Sequence, residues 1–164
     1  MKITATEEYG LRCLVLLAKH GPGEPLTLAD IGNGEGLSQP YAAKIMNLLR
    51  QEGLVDSIRG RHGGYILAYP PNRIRLSDAF SAMGEPLFGS SHCDRYGSPS
   101  SDEGCVHRDD CTVRDVWAGM NTLINAMFDR ITLADLLVAS DGSRLNIIAL
   151  AKQHLESQTK DTTN

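Results

Sequence analysis

The sequence predicts a mainly α-helical protein that carries one small β-hairpin. Apolar residues recur at the 3.6-residue spacing of amphipathic helices in several segments. Residues 54–68 break this pattern with two short apolar runs around a glycine-rich basic turn, which is typical of a hairpin. Residues 112–129 form a long amphipathic segment. Together these observations indicate a helical domain with a hairpin, followed by a long helix with an apolar stripe.

Three helices are predicted in the first third of the chain. The first spans residues 5–20 and begins with a capping box from Thr4 to Glu7. A short second helix begins at Leu28 and is weakened by three glycines. The third spans residues 39–52, with Ser38 as its expected N-cap.

A β-hairpin follows the third helix. Its strands are predicted at 54–58 and 65–68, and its turn, 59–64, is rich in glycine and arginine. A short helix capped by Ser77 comes next. The order helix, helix, tight turn, helix and basic hairpin predicts a winged helix-turn-helix domain over residues 1–84.

The rest of the chain is predicted to divide into three parts. Residues 85–111 lose all periodicity and form an irregular loop that contains cysteines. The long helix, 112–129, and a short further helix, Leu133–Val138, make up residues 112–139. Residues 140–164 are expected to hold a last helix over Ser143–Leu155 and a disordered polar tail.

The charge distribution differs between the two halves of the chain. The net charge is −4, but residues 1–75 carry two more basic than acidic side chains, and residues 76–164 carry six more acidic than basic ones. The distribution matters more than the sum for nucleic-acid binding. It fits one half that lies on nucleic acid and another half with a different task.

Composition and motifs exclude several function classes. No segment reaches the length of a membrane span, and the start lacks the apolar run of a secretion signal, so a cytoplasmic protein with reduced cysteines is expected. There is no phosphate-binding loop, nucleophile–base pair or cofactor fingerprint. The chain is therefore not expected to be an enzyme.

The third helix and the hairpin tip carry the groups that could bind DNA. The start of a recognition helix lies in the major groove, and a basic wing can enter a narrow minor groove. Two interpretations stay open besides DNA contact: Tyr41 could pack beneath the helix, and the wing arginines could simply be exposed. His62 could contact phosphate or only be a turn residue. The predicted DNA-binding residues are Ser38, Gln39, Tyr41, Lys44, Arg59, Arg61, Gly63 and Gly64.

Three cysteines suggest a metal centre. Cys93, Cys105 and Cys111 have the spacing C-x11-C-x5-C. Zinc sites favour closely spaced pairs, whereas this wider spacing suits a larger group such as an iron–sulfur cluster. A thiol switch is the alternative. Cys13 lies among apolar residues of the first helix and is predicted to pack in the core, and His107 is a candidate fourth ligand.

At this point the sequence resembles the Rrf2 family of winged-helix regulators, which has IscR-like, NsrR-like and RirA-like branches. The resemblance covers residues 1 to about 138. It rests on the opening Met1-Lys2-Ile3-Thr4, the helix start Leu37-Ser38-x-x-Tyr41, the wing signature Arg59-Gly60-x-x-Gly63-Gly64-Tyr65-x-Leu67-Ala68 and the segment Ile131–Leu137.

The resemblance implies a homodimer formed through helix 112–129, an imperfect palindromic DNA site, and a cluster held by the three cysteines. In the IscR-like branch a histidine three residues after the last cysteine is the fourth ligand, but this chain has Arg114 there. In the NsrR-like branch the fourth ligand is an acidic residue on the first helix of the other subunit, and Glu8 occupies the matching position in this chain. The alternative for Glu8 is an exposed helical pair with Arg12. This chain also differs from the family members that have a longer polar residue at the position of Ala43. Those members use that residue at the DNA surface, so a different operator preference is expected here.

The expected function is therefore a DNA-binding transcriptional regulator, a repressor, whose affinity for its operator is controlled by the cluster. A [2Fe-2S] or a [4Fe-4S] cluster would respond to iron, redox state or nitric oxide. The alternative is a regulator of the same family that has no cluster and uses its cysteines as a thiol switch.

Overall fold

The computed structural model describes residues 3–84 and 110–140, and its elements match the predicted class. Six helices and one two-stranded antiparallel sheet lie in these ranges, with a 3-10 turn at Pro71–Arg73. The elements are α1 (Ala5–His20), α2 (Leu28–Glu35), α3 (Gln39–Gln51), β1 (Val55–Ile58), β2 (Gly64–Leu67), α4 (Leu76–Met83), α5 (Thr112–Phe128) and α6 (Leu133–Ser140).

The predicted capping box begins α1. The Thr4 hydroxyl oxygen accepts the Glu7 backbone N–H at 3.2 Å, and the Glu7 carboxylate accepts the Thr4 N–H at 2.6 Å. Glu7 is only 6% exposed. A buried carboxylate is costly unless it is hydrogen-bonded, so this reciprocal cap lets an acidic residue stand in the first turn.

The start of α3 agrees with the prediction in position but not in mechanism. Ser38 is the N-cap residue, yet its side chain makes no capping hydrogen bond. Its carbonyl oxygen accepts the N–H of Ala42 at 2.9 Å. Ser38 is exposed, so its hydroxyl group, which does not cap the helix, is available to a partner outside the protein.

The hairpin has the predicted place and shorter strands. β1 pairs with β2 from Val55–Leu67 to Ile58–Gly64. Leu26 adds a bridge on the other edge of β2, where it exchanges two backbone hydrogen bonds with Tyr65. The bridge anchors the hairpin to the segment before α2.

The prediction that Ser77 caps the fourth helix is wrong. α4 begins at Leu76 with Arg75 as the N-cap residue. The Asp78 carboxylate accepts the Arg75 N–H at 3.2 Å, so the acidic residue three positions on defines the start of the helix.

The segment after α5 returns to the helical domain. Leu76 donates its N–H to the Ile131 carbonyl oxygen at 2.9 Å, and Leu133 donates to Ile74 at 2.8 Å. Ile131 and Leu133 are fully buried, and α6 packs on α1. α6 runs to Ser140, two residues beyond the predicted end. The predicted helix Ser143–Leu155 lies outside the described residues.

The core lies between α1 and the elements around it. Cys13 is completely buried there, which confirms that it packs rather than faces solvent. The core side chains are Cys13, Leu14, Leu17, Leu26, Ile31, Ala42, Ile45, Met46, Leu49, Leu54, Val55, Ile74, Ala79, Ala82, Met83 and Leu133.

Because Leu133 closes this core from beyond α5, Leu133→Ala should destabilise the whole helical domain. Loss of a buried leucine side chain costs about 2–4 kcal/mol of unfolding free energy. Urea denaturation at fixed protein concentration measures it. The control Gln51→Ala, at an exposed position, should stay within about 0.5 kcal/mol. An equally small effect of Leu133→Ala would contradict the packing of α6 in the core.

Candidate functional site

One side of α3 is buried and the other faces solvent. Ala42, Ile45, Met46 and Leu49 are buried. The predicted residues Ser38, Gln39 and Lys44 are all exposed, at the start and on the outer side of the helix. The fold therefore brings these three side chains to one solvent-facing surface, which we call the α3 face.

Tyr41 has a different setting from the other predicted DNA-binding residues. Its ring is half-buried and meets the Tyr9 ring edge-on, with 6.1 Å between centroids and an interplanar angle of 85°. Its hydroxyl oxygen lies 3.5 Å from the Thr6 hydroxyl oxygen. Tyr41 therefore links α3 to the first turns of α1, in agreement with the packing alternative for this residue.

The wing tip presents its basic side chains to solvent. Arg59, Arg61 and His62 are exposed. A side chain on Gly63 would collide with the carbonyl oxygen of Ile58, and one on Gly64 with that of Leu26. The fold of the wing therefore requires glycine at both positions, because neighbouring backbone lies too close to leave room for a Cβ atom.

Sequence reasoning missed two polar residues on the α3 face. Asn47 and Arg50 are exposed and follow Lys44 at helical spacing, and Arg50 Nη2 donates a hydrogen bond to Asn47 Oδ1 at 3.0 Å. They could have been found from the sequence, because residues three and six positions after Lys44 on the predicted helix lie near its exposed side.

Glu8 lies exposed on α1, and the helical pair suggested for it does not form. Arg12 instead donates from Nε to the Glu35 carboxylate at 2.7 Å. This hydrogen bond and the charge of Glu35 raise the pKa of Arg12. Within the described residues Glu8 has no side-chain ion pair. The Arg12–Glu35 bridge ties α1 to the end of α2.

Cys111 occupies the N-cap position of α5. Its Sγ atom accepts the Arg114 backbone N–H at 3.4 Å, and the residue is half-buried without a disulfide partner among the described residues. This is an N-cap contact, and a hydrogen bond to a ligating sulfur would also influence the reduction potential of a cluster bound there. Burial, by contrast, raises the pKa of Cys13 to about 12, so its thiol stays protonated and is a poor metal ligand.

The other predicted ligands, Cys93, Cys105 and His107, lie outside the described residues. Within 3–84 and 110–140, no three His, Cys, Asp or Glu side chains lie close enough together to hold a metal ion. Cys111 and Glu8 are the predicted ligands whose surroundings can be described.

α5 carries an exposed apolar stripe. No residue of this helix is fully buried. Phe128 stacks on Phe80 of α4 with 4.6 Å between ring centroids, so the end of the helix rests on the domain. Four apolar side chains on α5 are 39–58% exposed: Val113, Val116, Met120 and Leu123. We call these four residues the α5 stripe.

Comparison with known proteins identifies a family. Residues 3–139 match the family described as Rrf2, iron-dependent transcriptional regulator. The chain is 30% identical over its whole length to the HTH-type transcriptional regulator IscR of Aliivibrio salmonicida, and the match covers 96% of that protein. The relatives are named as transcriptional regulators, which confirms the expectation that the chain is not an enzyme.

Solved structures share the fold. The structure titled T. potens IscR is 31% identical, with a TM-score of 0.66 over 85% of this chain and 88% of that chain. Staphylococcus aureus CymR in its oxidized form is 25% identical, with a TM-score of 0.60 over 81% and 93%. These neighbours confirm the winged helix-turn-helix architecture. No helix in the described ranges is long and apolar enough to cross a membrane.

Arg59→Ala should weaken DNA binding and reduce its salt dependence, because an exposed wing arginine that contacts phosphate releases a counterion when it binds. The slope of log affinity against log salt should fall by about one unit. Fluorescence anisotropy at several salt concentrations measures both values. Lys19→Ala is the matched control, since Lys19 lines a groove between α1, α2 and α6 to which no wing residue contributes. Equal slopes for wild type and Arg59→Ala would rule out a phosphate contact at this position.

Proposed function

We propose, on the premise that the chain belongs to the Rrf2 family of transcriptional regulators, that it represses transcription as a cytoplasmic homodimer on an imperfect palindrome. Its operator affinity would depend on a [2Fe-2S] or [4Fe-4S] cluster held by Cys93, Cys105 and Cys111, with Glu8 of the partner subunit as fourth ligand. The observation that carries the proposal is the family match over residues 3–139, which includes the winged helix and Cys93, Cys105 and Cys111.

DNA binding is supported by the surface that the fold assembles. α3 is one continuous helix whose outer side is polar and carries Lys44. A helix of this size fits the major groove, with base edges and phosphates within reach of its exposed side chains. The wing supplies Arg59 and Arg61, which are exposed and so are free to neutralise phosphates.

Dimerisation is supported by the α5 stripe. Its members recur at spacings of three and four residues, which is the pattern of a helix that packs on a second helix. Apolar side chains more than one-third exposed in a row along one helix mark an interaction site. A two-fold dimer through α5 would present two α3 helices, one for each half of a palindrome, whose half-sites are about 34 Å apart when they are separated by one turn of DNA.

Cys111 and Glu8 fit a cluster site by their chemistry. The Cys111 sulfur sits at a helix N-terminus, where it accepts a backbone N–H. Glu8 is exposed, so its carboxylate is available to a second subunit. When bound, an iron–sulfur cluster supplies iron that responds to oxidants, nitric oxide and iron supply. The histidine of the IscR-like branch is replaced by Arg114, which favours a ligand from α1.

Two contacts would carry a change at Glu8 to the DNA surface. The next residue, Tyr9, packs against Tyr41 on α3. One turn on, Arg12 is bridged to Glu35 at the end of α2. A shift of α1 would therefore move both helices of the helix-turn-helix. Near-complete switching needs about 5.5 kcal/mol of difference in DNA affinity between the two states.

The second candidate is a thiol switch without a cluster. It is favoured by the similarity to a CymR whose structure is titled as an oxidized form. Cys111 is half-buried, so an oxidant could reach its sulfur. The two candidates make different predictions about iron content.

Met120→Glu should break the dimer, because a carboxylate on the α5 stripe would be desolvated in the interface. We expect the dimer dissociation constant to rise about tenfold or more. Sedimentation velocity over a concentration series measures it. Asn125→Glu is the control, since Asn125 is exposed on the side of α5 opposite the stripe. Wild-type dimerisation by Met120→Glu would contradict the α5 interface.

Anaerobic isolation tests the cluster. We expect a coloured protein that contains iron and sulfide and loses both in Cys111→Ser, whereas Cys13→Ala keeps them because Cys13 is a core residue. Glu8→Ala should change the visible spectrum and the DNA affinity of the cluster-loaded protein.

A colourless, iron-free wild-type protein would contradict the cluster and favour the thiol switch. If Glu8→Ala alters neither the spectrum nor the DNA affinity, the ligand from the partner subunit is wrong while the cysteine site stands.

A further inference from the structure

A groove of about 330 Å³ lies between α1, the end of α2 and α6. Three of its lining residues are charged: Arg12, Lys19 and Glu35. The other three are apolar and half-buried, and they also pack against the core: Leu11, Val15 and Leu136. Within the described residues these apolar side chains are incompletely covered. A segment that covered them would remove apolar surface from water, which is favourable.

The charged side chains of the groove do not favour an ion as its occupant. Arg12 donates from Nε to the Glu35 carboxylate at 2.7 Å, so these two opposite charges neutralise each other. The Glu35 side chain is only 11% exposed and is already used by this pair. Lys19 is exposed, so its ammonium group can stay in water. The groove therefore suits an apolar surface, such as one side of an amphipathic helix.

The chain itself leaves α6 close to the groove. Leu136 lines the groove, and α6 ends at Ser140, about 6 Å further along the helix axis. Residues 141–164 follow. When extended, residues 141–144 span about 14 Å, which is enough to bring the next residues back to Leu136. A segment tethered this closely has an effective concentration in about the millimolar range, which favours it over a separate partner.

The sequence predicts an amphipathic helix at the required distance, over residues 143–155. One side of this helix would be polar and carry Asn146, Lys152 and Gln153. The other side would be apolar and carry Ile147, Ile148, Leu150, Ala151 and Leu155. The family match ends at residue 139, so this helix lies beyond the part of the chain that the family model covers.

We propose that residues 143–155 dock in the groove of their own subunit, with Ile147 and Leu150 against Leu11, Val15 and Leu136. The docked segment would join α1 to α6 and to the end of α2, so it would oppose any shift of α1 within the helical domain. The proposal depends on neither DNA binding nor a cluster. It adds to the proposed function an intramolecular contact on the helix that carries Glu8.

Trypsin cleavage of the folded full-length protein after Lys152 tests the docking, with mass spectrometry to identify the bond. A protease cuts a docked segment only when it is transiently released, so cleavage reports the released fraction. Ile147→Asn and Leu150→Asn should each accelerate cleavage of this bond about tenfold or more relative to the wild type. Because the same bond is compared, the sequence preference of trypsin cancels. Ala149→Asn is the matched control, since residue 149 would lie on the opposite side of the helix, and its rate should match that of the wild type.

A substitution in the groove tests the other surface. Val15→Asn should accelerate cleavage after Lys152 as much as the segment variants do. Leu48→Asn, at a half-buried position of α3 outside the groove, is its control and should leave the rate unchanged. Circular dichroism verifies that both variants are folded. If Val15→Asn does not fold, the segment variants still test whether residues 143–155 are docked, and Lys19→Asp at the exposed edge of the groove replaces it.

The outcomes separate this proposal from its alternatives. Equal cleavage rates in the wild type, Ile147→Asn and Leu150→Asn would overturn the docking. Faster cleavage in these two variants but not in the groove variant would mean that the segment packs elsewhere, which overturns the groove as its site. Protection that is lost in Met120→Glu, the variant expected to be monomeric, would place the segment on the partner subunit and overturn docking within one subunit. A protein that binds no DNA or no iron but protects Lys152 as expected would contradict the proposed function alone.

Discussion

Burial of one side of α1 is the constraint on which the rest of the structure depends. Cys13, Leu14 and Leu17 are almost completely enclosed, and α2, α3, α4, α6 and β2 all contact this helix. Because the buried side is shared by so many elements, α1 cannot shift without disturbing the helix-turn-helix. Its exposed residues are therefore suited to carry a signal into the DNA-binding domain.

Two side chains of α1 close to Glu8 contact the helices of the DNA-binding motif. Glu8 is exposed, Tyr9 meets Tyr41 of α3, and Arg12 bridges to Glu35 of α2. A cluster bound to Glu8 would thus act on α1 close to Tyr9 and Arg12. These two residues contact α3 and α2, the two helices of the DNA-binding motif. This arrangement gives the proposed sensor a short physical path to the DNA-binding domain.

α5 differs from the other helices because, within residues 3–84 and 110–140, it has little to pack on. It rests on α4 through the stack of Phe128 on Phe80, while the α5 stripe stays exposed. The chain then re-enters the core at Ile131 and Leu133. Each subunit would therefore hold its α5 rigidly at the C-terminal end, so that pairing of two such helices sets the distance between two DNA-binding surfaces.

Much of this protein was determined by the sequence itself. Helix and strand positions follow local periodicity and caps, and so α1, α3 and the wing were predicted to within one or two residues. The burial of Cys13 also followed, since its helical neighbours are apolar. The family match confirmed what the wing signature indicated. Local patterns, however, do not say which of several nearby polar groups will meet.

Only the tertiary structure decided those pairings. Arg12 pairs with Glu35, 23 positions away, instead of the nearby Glu8. Tyr41 of α3 turns partly inward to meet Tyr9 of α1, instead of facing solvent with the other predicted DNA-binding residues. The reason is physical: periodicity assigns a residue to a side of its helix, whereas its partner depends on which distant element packs there.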